Sequence, residues 1–319
     1  MFKQFSQFLI TEGNESNQAY GDAYEIGTIL HLHNNTASKT NTHPDYKAKI
    51  ATLKSKHKEL LAALPEHMAQ RAKTAAKDSA NAYLQSLAAH RGIKPDHIKE
   101  IHHSNQGISK FIGRDVDRAS NPHDIVIKGK VGREEFTHGA SLKATSGTAS
   151  NNPVGAFQTA GHSHGVLTNT SQIWSEGKKK AGLAGKSGKE IKAQRDDPKI
   201  KDFNRETQQA AANDHANAFH DATLKAQKQH LGFLLKSNPD LEYDYVKGEK
   251  GGSSVPHDQL PHIQAIKKAK SLSAEVKNNV VHFYDHNGVN VAKVEHRTTH
   301  GAFSSPQANA KFGTLLSKK

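Results

Sequence analysis

The stretch Asn121-Pro-His-Asp-Ile-Val-Ile-Lys128, followed after a turn by His138-Gly-Ala-Ser-Leu-Lys143, decides the fold of this chain. The first stretch contains a β-branched run, and the second fits a strand that returns beside it. Val131-Gly132 lies between them and is typical of a turn. The sequence therefore predicts two adjacent strands in a sheet.

An acid and a lysine occupy defined positions on these two strands. Asp124 lies at the start of the first strand, and Lys143 lies on the second. Ser141 is two positions before Lys143, so both side chains point to the same face of the strand. A carboxylate can hold a divalent metal ion that activates water, and a nearby lysine can stabilise charge that develops on a phosphate. This arrangement favours metal-assisted phosphodiester hydrolysis.

The pair resembles the PD-(D/E)XK nuclease superfamily, in which Asp is separated from Glu-x-Lys by a turn between two strands. The resemblance implies catalytic roles for Asp124, Ser141 and Lys143, and Mg²⁺ or Mn²⁺ as the cofactor. Ser141 stands where that family usually has Glu, so another acid must complete the metal site. Glu25, on the first predicted helix, is the preferred replacement and joins Asp124 as a metal ligand. Glu135 and Glu176 are the alternatives.

The composition limits the classes of protein and of site. The 319 residues include no cysteine, which excludes disulfides and thiolate metal sites. Apolar residues make up 34%, and no apolar run reaches the length of a bilayer span. The pairs His102-His103 and His162-Ser-His164 come without cysteine and without a positioned acid, so a structural role is favoured over metal binding.

The charge balance predicts a polyanionic partner. The formal net charge is +13, and DNA is the preferred partner for a chain of this basicity. The densest basic cluster should track a phosphate backbone without reading bases, because lysine acts as a point charge. Its predicted DNA-binding residues are Lys178, Lys179, Lys180, Lys186, Lys189, Lys192 and Arg195.

The opening Met1-Phe-Lys-Gln-Phe-Ser-Gln-Phe-Leu-Ile10 resembles the starts of many proteins from T4-like tailed phages. Residues 1–13 have apolar positions at helical spacing and lack the apolar core of a secretory signal. Ile10-Thr-Glu-Gly13 resembles a site cut by the prohead proteases of such phages. The resemblance implies a leader that directs the protein into the capsid interior and is removed before Gly13.

The chain as a whole predicts an α+β fold with long helical insertions and a C-terminal β-hairpin, and the resemblance to the nuclease superfamily implies a small mixed β-sheet core of restriction-endonuclease-like type. The predicted regions are a leader over 1–13, a nuclease-like core over 14–200 with a helical insertion over about 45–102, and a C-terminal region over 201–319. The predicted elements are helices over 18–33, 45–64, 66–90 and 204–235, a short helical piece over 95–102, a capped helix start at 187–190, loops over 145–165 and 248–256, and a hairpin over 280–294 with Asn-Gly at its turn.

Two functions follow from these features. The first is a phage-encoded, metal-dependent DNA endonuclease or nickase, located in the host cytoplasm or the virion interior and neither secreted nor membrane-bound. The alternative is a non-catalytic, basic internal virion protein that binds DNA or a host factor. The sequence is compatible with a homodimer in either case.

Overall fold

The chain folds into two compact units that alternate along the sequence. The computed structural model describes residues 2–103, 123–143, 150–194, 196–237, 239, 241–248, 251–299 and 301–316. The first unit comprises Met1–Gly147 and Pro239–His257, and the second comprises Thr148–Asn238 and Asp258–Lys319. The predicted limits of 14–200 and 201–319 do not coincide with this division, because residues 239–257 return to the first unit.

Both units combine helices with an extended sheet, which confirms the predicted α+β class. Among the described residues, no helix combines the length and apolar character that a membrane span requires. The helices are α1 Phe2–Asn34, α2 Pro44–Ala63, α3 Glu66–Arg91, α4 Val154–His164, α5 Thr170–Lys180, α6 Gly188–Ala193, α7 Pro198–Asp221, α8 Leu224–Leu234 and α9 Pro261–Lys268. The strands are β1 Ile98–His103, β2 Ile125–Val131, β3 Glu134–Lys143, β4 Ser150–Pro153, β5 Tyr243–Lys247, β6 Ser253–Pro256, β7 Leu272–Lys277, β8 Val280–Asp285, β9 Asn290–Thr298 and β10 Pro306–Phe312.

The sheet of the first unit is mixed, with the strand order β1-β2-β3-β5-β6. β1, β2 and β3 form an antiparallel meander, and β5 lies parallel to β3. The predicted hairpin is confirmed, with Gly132 at its turn in a left-handed conformation (φ 62°) that favours glycine. Helices α2 and α3 were predicted as an insertion. They instead share one hydrophobic core with α1 and the sheet.

The short helical piece predicted over 95–102 is wrong. Residues 95–97 form a 3₁₀ turn, and β1 follows directly. Ile98 and Ile101 are three positions apart and both fully buried, which is the spacing expected of a helix. A register shift in the β1–β2 pairing between Ile98 and Glu100 explains this spacing, because a bulge brings both isoleucines to the core side of one strand.

A buried polar network joins α3 to the middle of this sheet. The Tyr83 hydroxyl lies 2.8 Å from His138 Nδ1 and donates to the Gly139 carbonyl at 2.9 Å. His138 Nε2 lies 3.4 Å from a carboxyl oxygen of Asp244, whose other oxygen accepts from the Ser86 hydroxyl. Burial lowers the pKa of His138 to about 3 and raises the pKa of Asp244. These contacts therefore hold α3 against the sheet, and the His138 imidazole among them is neutral.

The sheet of the second unit is antiparallel, with the strand order β4-β10-β9-β8-β7. The predicted C-terminal hairpin is confirmed as β8 and β9. Asp285 stabilises its turn, since its Oδ1 accepts from the backbone N–H groups of Asn287 and Val289, each at 2.9 Å. Gly288 has φ 73°, which fits the Asn-Gly turn signal.

Two predictions for the second unit need correction, and one is confirmed. The loop over 145–165 contains α4, which buries Val154 and Phe157. The single helix over 204–235 is interrupted at Ala222, whose extended backbone ends α7. Thr223 then begins α8 by accepting a hydrogen bond from Ala226 N, so a local cap competes with continuation of the helix. The capping box at Ser187 is confirmed.

Three histidines lie at the centre of the second unit. His215 Nδ1 is 3.2 Å from His296 Nε2, and His215 Nε2 is 3.0 Å from His230 Nε2. All three are fully buried, with Phe157 and Phe283 packed against their rings. Because His215 uses opposite nitrogens for its two partners, the three rings form a hydrogen-bonded chain. They do not converge on a point where one metal ion could bind all three.

The loop predicted over 248–256 needs correction too. Its second half is β6 of the first unit, which pairs with β5.

Candidate functional site

One end of the first unit's sheet carries several ionisable side chains. His103 is the last residue of β1, Asp124 immediately precedes β2, and Lys143 is the last residue of β3. The register pairs His103 with Ile125 and Ile125 with Ala140. Because adjacent strands run in opposite directions, the end of β1, the start of β2 and the end of β3 lie at the same end of the sheet.

Backbone groups of β3 hold Asp124 in place. Its N–H donates to the Ala140 carbonyl at 2.8 Å, and its Oδ2 accepts from Leu142 N at 2.6 Å. Lys143 Nζ lies 3.8 Å from the same oxygen. The structure thus brings together the predicted acid and the predicted lysine.

Helix α1 brings Glu25 to this end of the sheet. The neighbouring Tyr24 anchors the helix, because its hydroxyl pairs with Ser79 Oγ at 2.7 Å and donates to the Lys143 carbonyl at 3.5 Å. Glu25 Oε2 accepts from His103 Nε2 at 3.2 Å. The side chains at this end are partly accessible, with exposed fractions of 23% for Asp124, 19% for Lys143, 27% for Glu25 and 11% for His103.

The electrostatics of Asp124 link these groups. Its pKa is raised to about 6, chiefly because burial disfavours the charged carboxylate. The negative charge of Glu25 raises it further, whereas Lys143, the Leu142 N–H and His103 lower it. A cation bound at this end of the sheet would offset the repulsion between the Asp124 and Glu25 carboxylates.

The donor set fits a hard divalent cation. Mg²⁺ prefers oxygen ligands and keeps several waters, so it needs only one or two protein carboxylates. Asp124 and Glu25 supply carboxylates of that kind. In the described parts of the chain, no group of three or more His, Asp or Glu side chains is arranged to hold a metal ion. A metal site here would consequently depend on two carboxylates, water and substrate oxygens.

Of the remaining candidates, Ser141 stays at this end of the sheet, between the two β3 residues that hydrogen-bond Asp124, whereas Glu135 and Glu176 lie elsewhere. Ser141 is buried on β3 and follows the residues that pair with β2. Glu135 lies at the opposite end of β3, where it forms an ion pair with Lys130 at 3.0 Å. Glu176 belongs to the second unit, on α5, and accepts from Gln172. Of the three acids considered, Glu25 is the one that influences Asp124.

The predicted DNA-binding lysines belong to the second unit. Lys178, Lys179 and Lys180 end α5, and Lys189 and Lys192 lie on α6, whereas Arg195 falls outside the described residues. Lys186 Nζ donates to Gln194 Oε1 at 3.0 Å. The other described lysines of this cluster form no ion pair within the described residues, and most are exposed. They form a cationic surface.

His103 is the residue at this site that the sequence interpretation missed. The acid near it is Glu25, which is far away in sequence. The helical interpretation of residues 95–102 also hid the strand that ends at His103. No alternation of apolar and polar residues marks this strand, because a bulge separates Ile98 from Glu100 and Ile101 is followed by two histidines.

Comparison with known proteins leaves the geometry as the basis for inferring function. No protein-family model, no curated protein and no solved structure matches this chain.

Proposed function

We propose that this protein is a metal-dependent DNA endonuclease or nickase of the PD-(D/E)XK type. The observation that carries the proposal is the pairing of Asp124 and Lys143 at 3.8 Å, at the sheet end that also receives Glu25. The order Asp, turn, x-Lys on two adjacent strands agrees with the motif of that superfamily, apart from Ser141.

Asp124 and Glu25 would hold Mg²⁺ or Mn²⁺ in this proposal. When bound, the metal ion lowers the pKa of a coordinated water and polarises the phosphate. The Leu142 N–H keeps the Asp124 carboxylate in a fixed orientation. Lys143 supplies a positive charge within reach of the scissile phosphate, where negative charge increases in the transition state.

The positive net charge of the chain is the reason for proposing DNA as the substrate. Phosphates along the backbone interact favourably with a chain of net charge +13. The exposed lysines of α5 and α6 provide a local concentration of that charge. Binding through them should be insensitive to sequence and should weaken steeply as salt increases.

A specific observation favours a second function, the non-catalytic internal virion protein. A neutral, buried Ser141 occupies the position of the usual metal-binding Glu. In addition, residues 2–13 of the leader-like segment form the first part of α1, the helix that bears Glu25. Proteolysis before Gly13 would shorten that helix but would leave Glu25 in place. Mass spectrometry of virions would identify a packaged form beginning at Gly13.

The decisive experiment is incubation of the purified protein with supercoiled plasmid in Mg²⁺, Mn²⁺ or EDTA. Asp124→Asn is the preferred variant, because it removes the charge but keeps an oxygen that can accept from Leu142 N. Lys143→Met is its companion. The matched controls are Asp96→Asn and Lys130→Met, which alter exposed residues away from this end of the sheet.

We expect metal-dependent nicking or linearisation that both site variants reduce by about a hundredfold or more, while the controls cleave normally. All variants should retain a salt-sensitive gel shift with DNA. Cleavage that persists in Asp124→Asn would refute the assignment. A gel shift without any cleavage by the wild-type protein would favour the virion protein.

A further inference from the structure

His103 makes a direct contact with the proposed metal ligand Glu25. Its Nε2 lies 3.2 Å from Glu25 Oε2, and a carboxylate can only accept, so the imidazole donates. His103 is mostly buried at the end of β1, one strand position from Asp124 across the pairing with Ile125. The sheet therefore fixes this donor firmly.

This contact restricts a flexible side chain. Glutamate has several rotatable bonds, and orienting it on metal binding has an entropic cost. A hydrogen bond to Oε2 orients the carboxylate in advance and leaves its other oxygen available. Outer hydrogen bonds of this type commonly contribute 10–100-fold to metal affinity.

We propose that His103 is a positioning residue that holds Glu25 in the orientation required to bind the divalent cation. This role rests on the proposed function, since it assumes the metal site formed by Asp124 and Glu25. The imidazole acts through its N–H and needs neither to bind the metal nor to exchange a proton.

The adjacent His102 provides a matched control on the same strand. Its Nδ1 lies 3.1 Å from Lys49 Nζ, and its Nε2 donates to Glu100 at 2.8 Å. It is at least as buried as His103, but the carboxylate that its Nε2 contacts is that of Glu100. Replacing His102 therefore perturbs β1 to a similar extent without removing the hydrogen bond to Glu25.

The test measures Mn²⁺ binding to the full-length protein from the loss of the free-ion electron paramagnetic resonance signal. Glu25→Gln defines the binding that belongs to this site. We expect His103→Ala to raise the Kd of that binding about tenfold or more. His103→Gln keeps an N–H donor and should restore most of the affinity, and His102→Ala should match the wild type. Thermal melts of each variant confirm folding.

Plasmid cleavage adds a second measurement. The Mn²⁺ concentration that gives half-maximal cleavage should rise in His103→Ala, whereas the rate at saturating Mn²⁺ should change little. Unchanged Mn²⁺ affinity in His103→Ala, or equal weakening in His102→Ala, would overturn the role of His103. Absence of Glu25-dependent binding in the wild type would overturn it together with the metal site. Glu25-dependent binding that needs His103, without cleavage, would support the role and contradict the nuclease.

Discussion

The three buried histidines predict that the second unit loses stability in mild acid. Burial is the largest cause that lowers the pKa of each ring, to about 3 for His230 and His296 and well below the usual value for His215. In the unfolded chain the same groups have a pKa of about 6.5. Protons therefore bind the unfolded state first. The stabilisation is complete above about pH 6.5 and decreases as the pH falls toward the folded-state values.

The magnitude follows from proton linkage. One histidine that stays neutral when folded and titrates near pH 6.5 when unfolded lowers the free energy of unfolding by about 2 kcal/mol between pH 7 and pH 5. Three such groups give a loss of about 6 kcal/mol. This loss is comparable to the total stability of a typical domain, which is about 5–15 kcal/mol.

Tryptophan fluorescence measures this effect in the second unit alone. Trp174 is the only tryptophan of the chain, and it is buried beside Phe303 with ring centroids 6.0 Å apart. Urea unfolding, followed by this fluorescence at pH 7, 6 and 5, gives the free energy of unfolding at each pH. His230→Gln removes one titrating ring. His286→Gln replaces an exposed histidine of the same unit and serves as the control.

We expect the wild-type loss between pH 7 and pH 5 to shrink by about 2 kcal/mol in His230→Gln, whatever the absolute stability of the variant. Other groups of the unit titrate equally in both proteins and cancel in this comparison. Equal free energies of unfolding at pH 7 and pH 5 in the wild type would refute the reasoning. An undiminished loss in His230→Gln would also refute it.

Three further predictions concern stability at neutral pH, each measured by urea unfolding. Tyr83→Phe should destabilise the first unit by about 1–3 kcal/mol, because the buried His138 loses its partner, and unchanged circular dichroism transitions would contradict this. Thr223→Ala should destabilise the second unit by about 1 kcal/mol through loss of a helix cap, whereas Thr223→Ser should retain the stability. Gly177→Ala should markedly lower the urea concentration at the midpoint of unfolding followed by tryptophan fluorescence. The Cβ of the new alanine would lie 2.1 Å from Thr207 Oγ1.

Local signals in the sequence were sufficient for much of the fold. Apolar periodicity and flanking prolines identified α2 and α3, and Gly92, with φ 65°, ends α3 as expected of a glycine after a helix. The two hairpins followed from β-branched runs separated by turn residues. The pairing of Asp124 with Lys143 was also predictable, because it depends on neighbouring strands only.

Features that depend on distant contacts were not predictable in this way. The bulge in β1 gave a strand the apolar spacing of a helix. The approach of His103 to Glu25 joins residues on different elements, and no local pattern records it. Likewise, the buried chain formed by His215, His230 and His296 joins residues from separate elements, and histidine is intermediate between buried and exposed residue types.

The alternation of the two units along the chain has a consequence for synthesis on the ribosome. β3 and β5 pair in parallel, with Gly139 opposite Tyr243 about a hundred residues later. Most of the second unit must therefore emerge from the ribosome before β5 can complete the first sheet. The sheet of the second unit in turn forms only after β7–β10 have been synthesised. Nascent chains halted before residue 243 should thus expose an unpaired β3 edge, which is a favourable binding surface for chaperones.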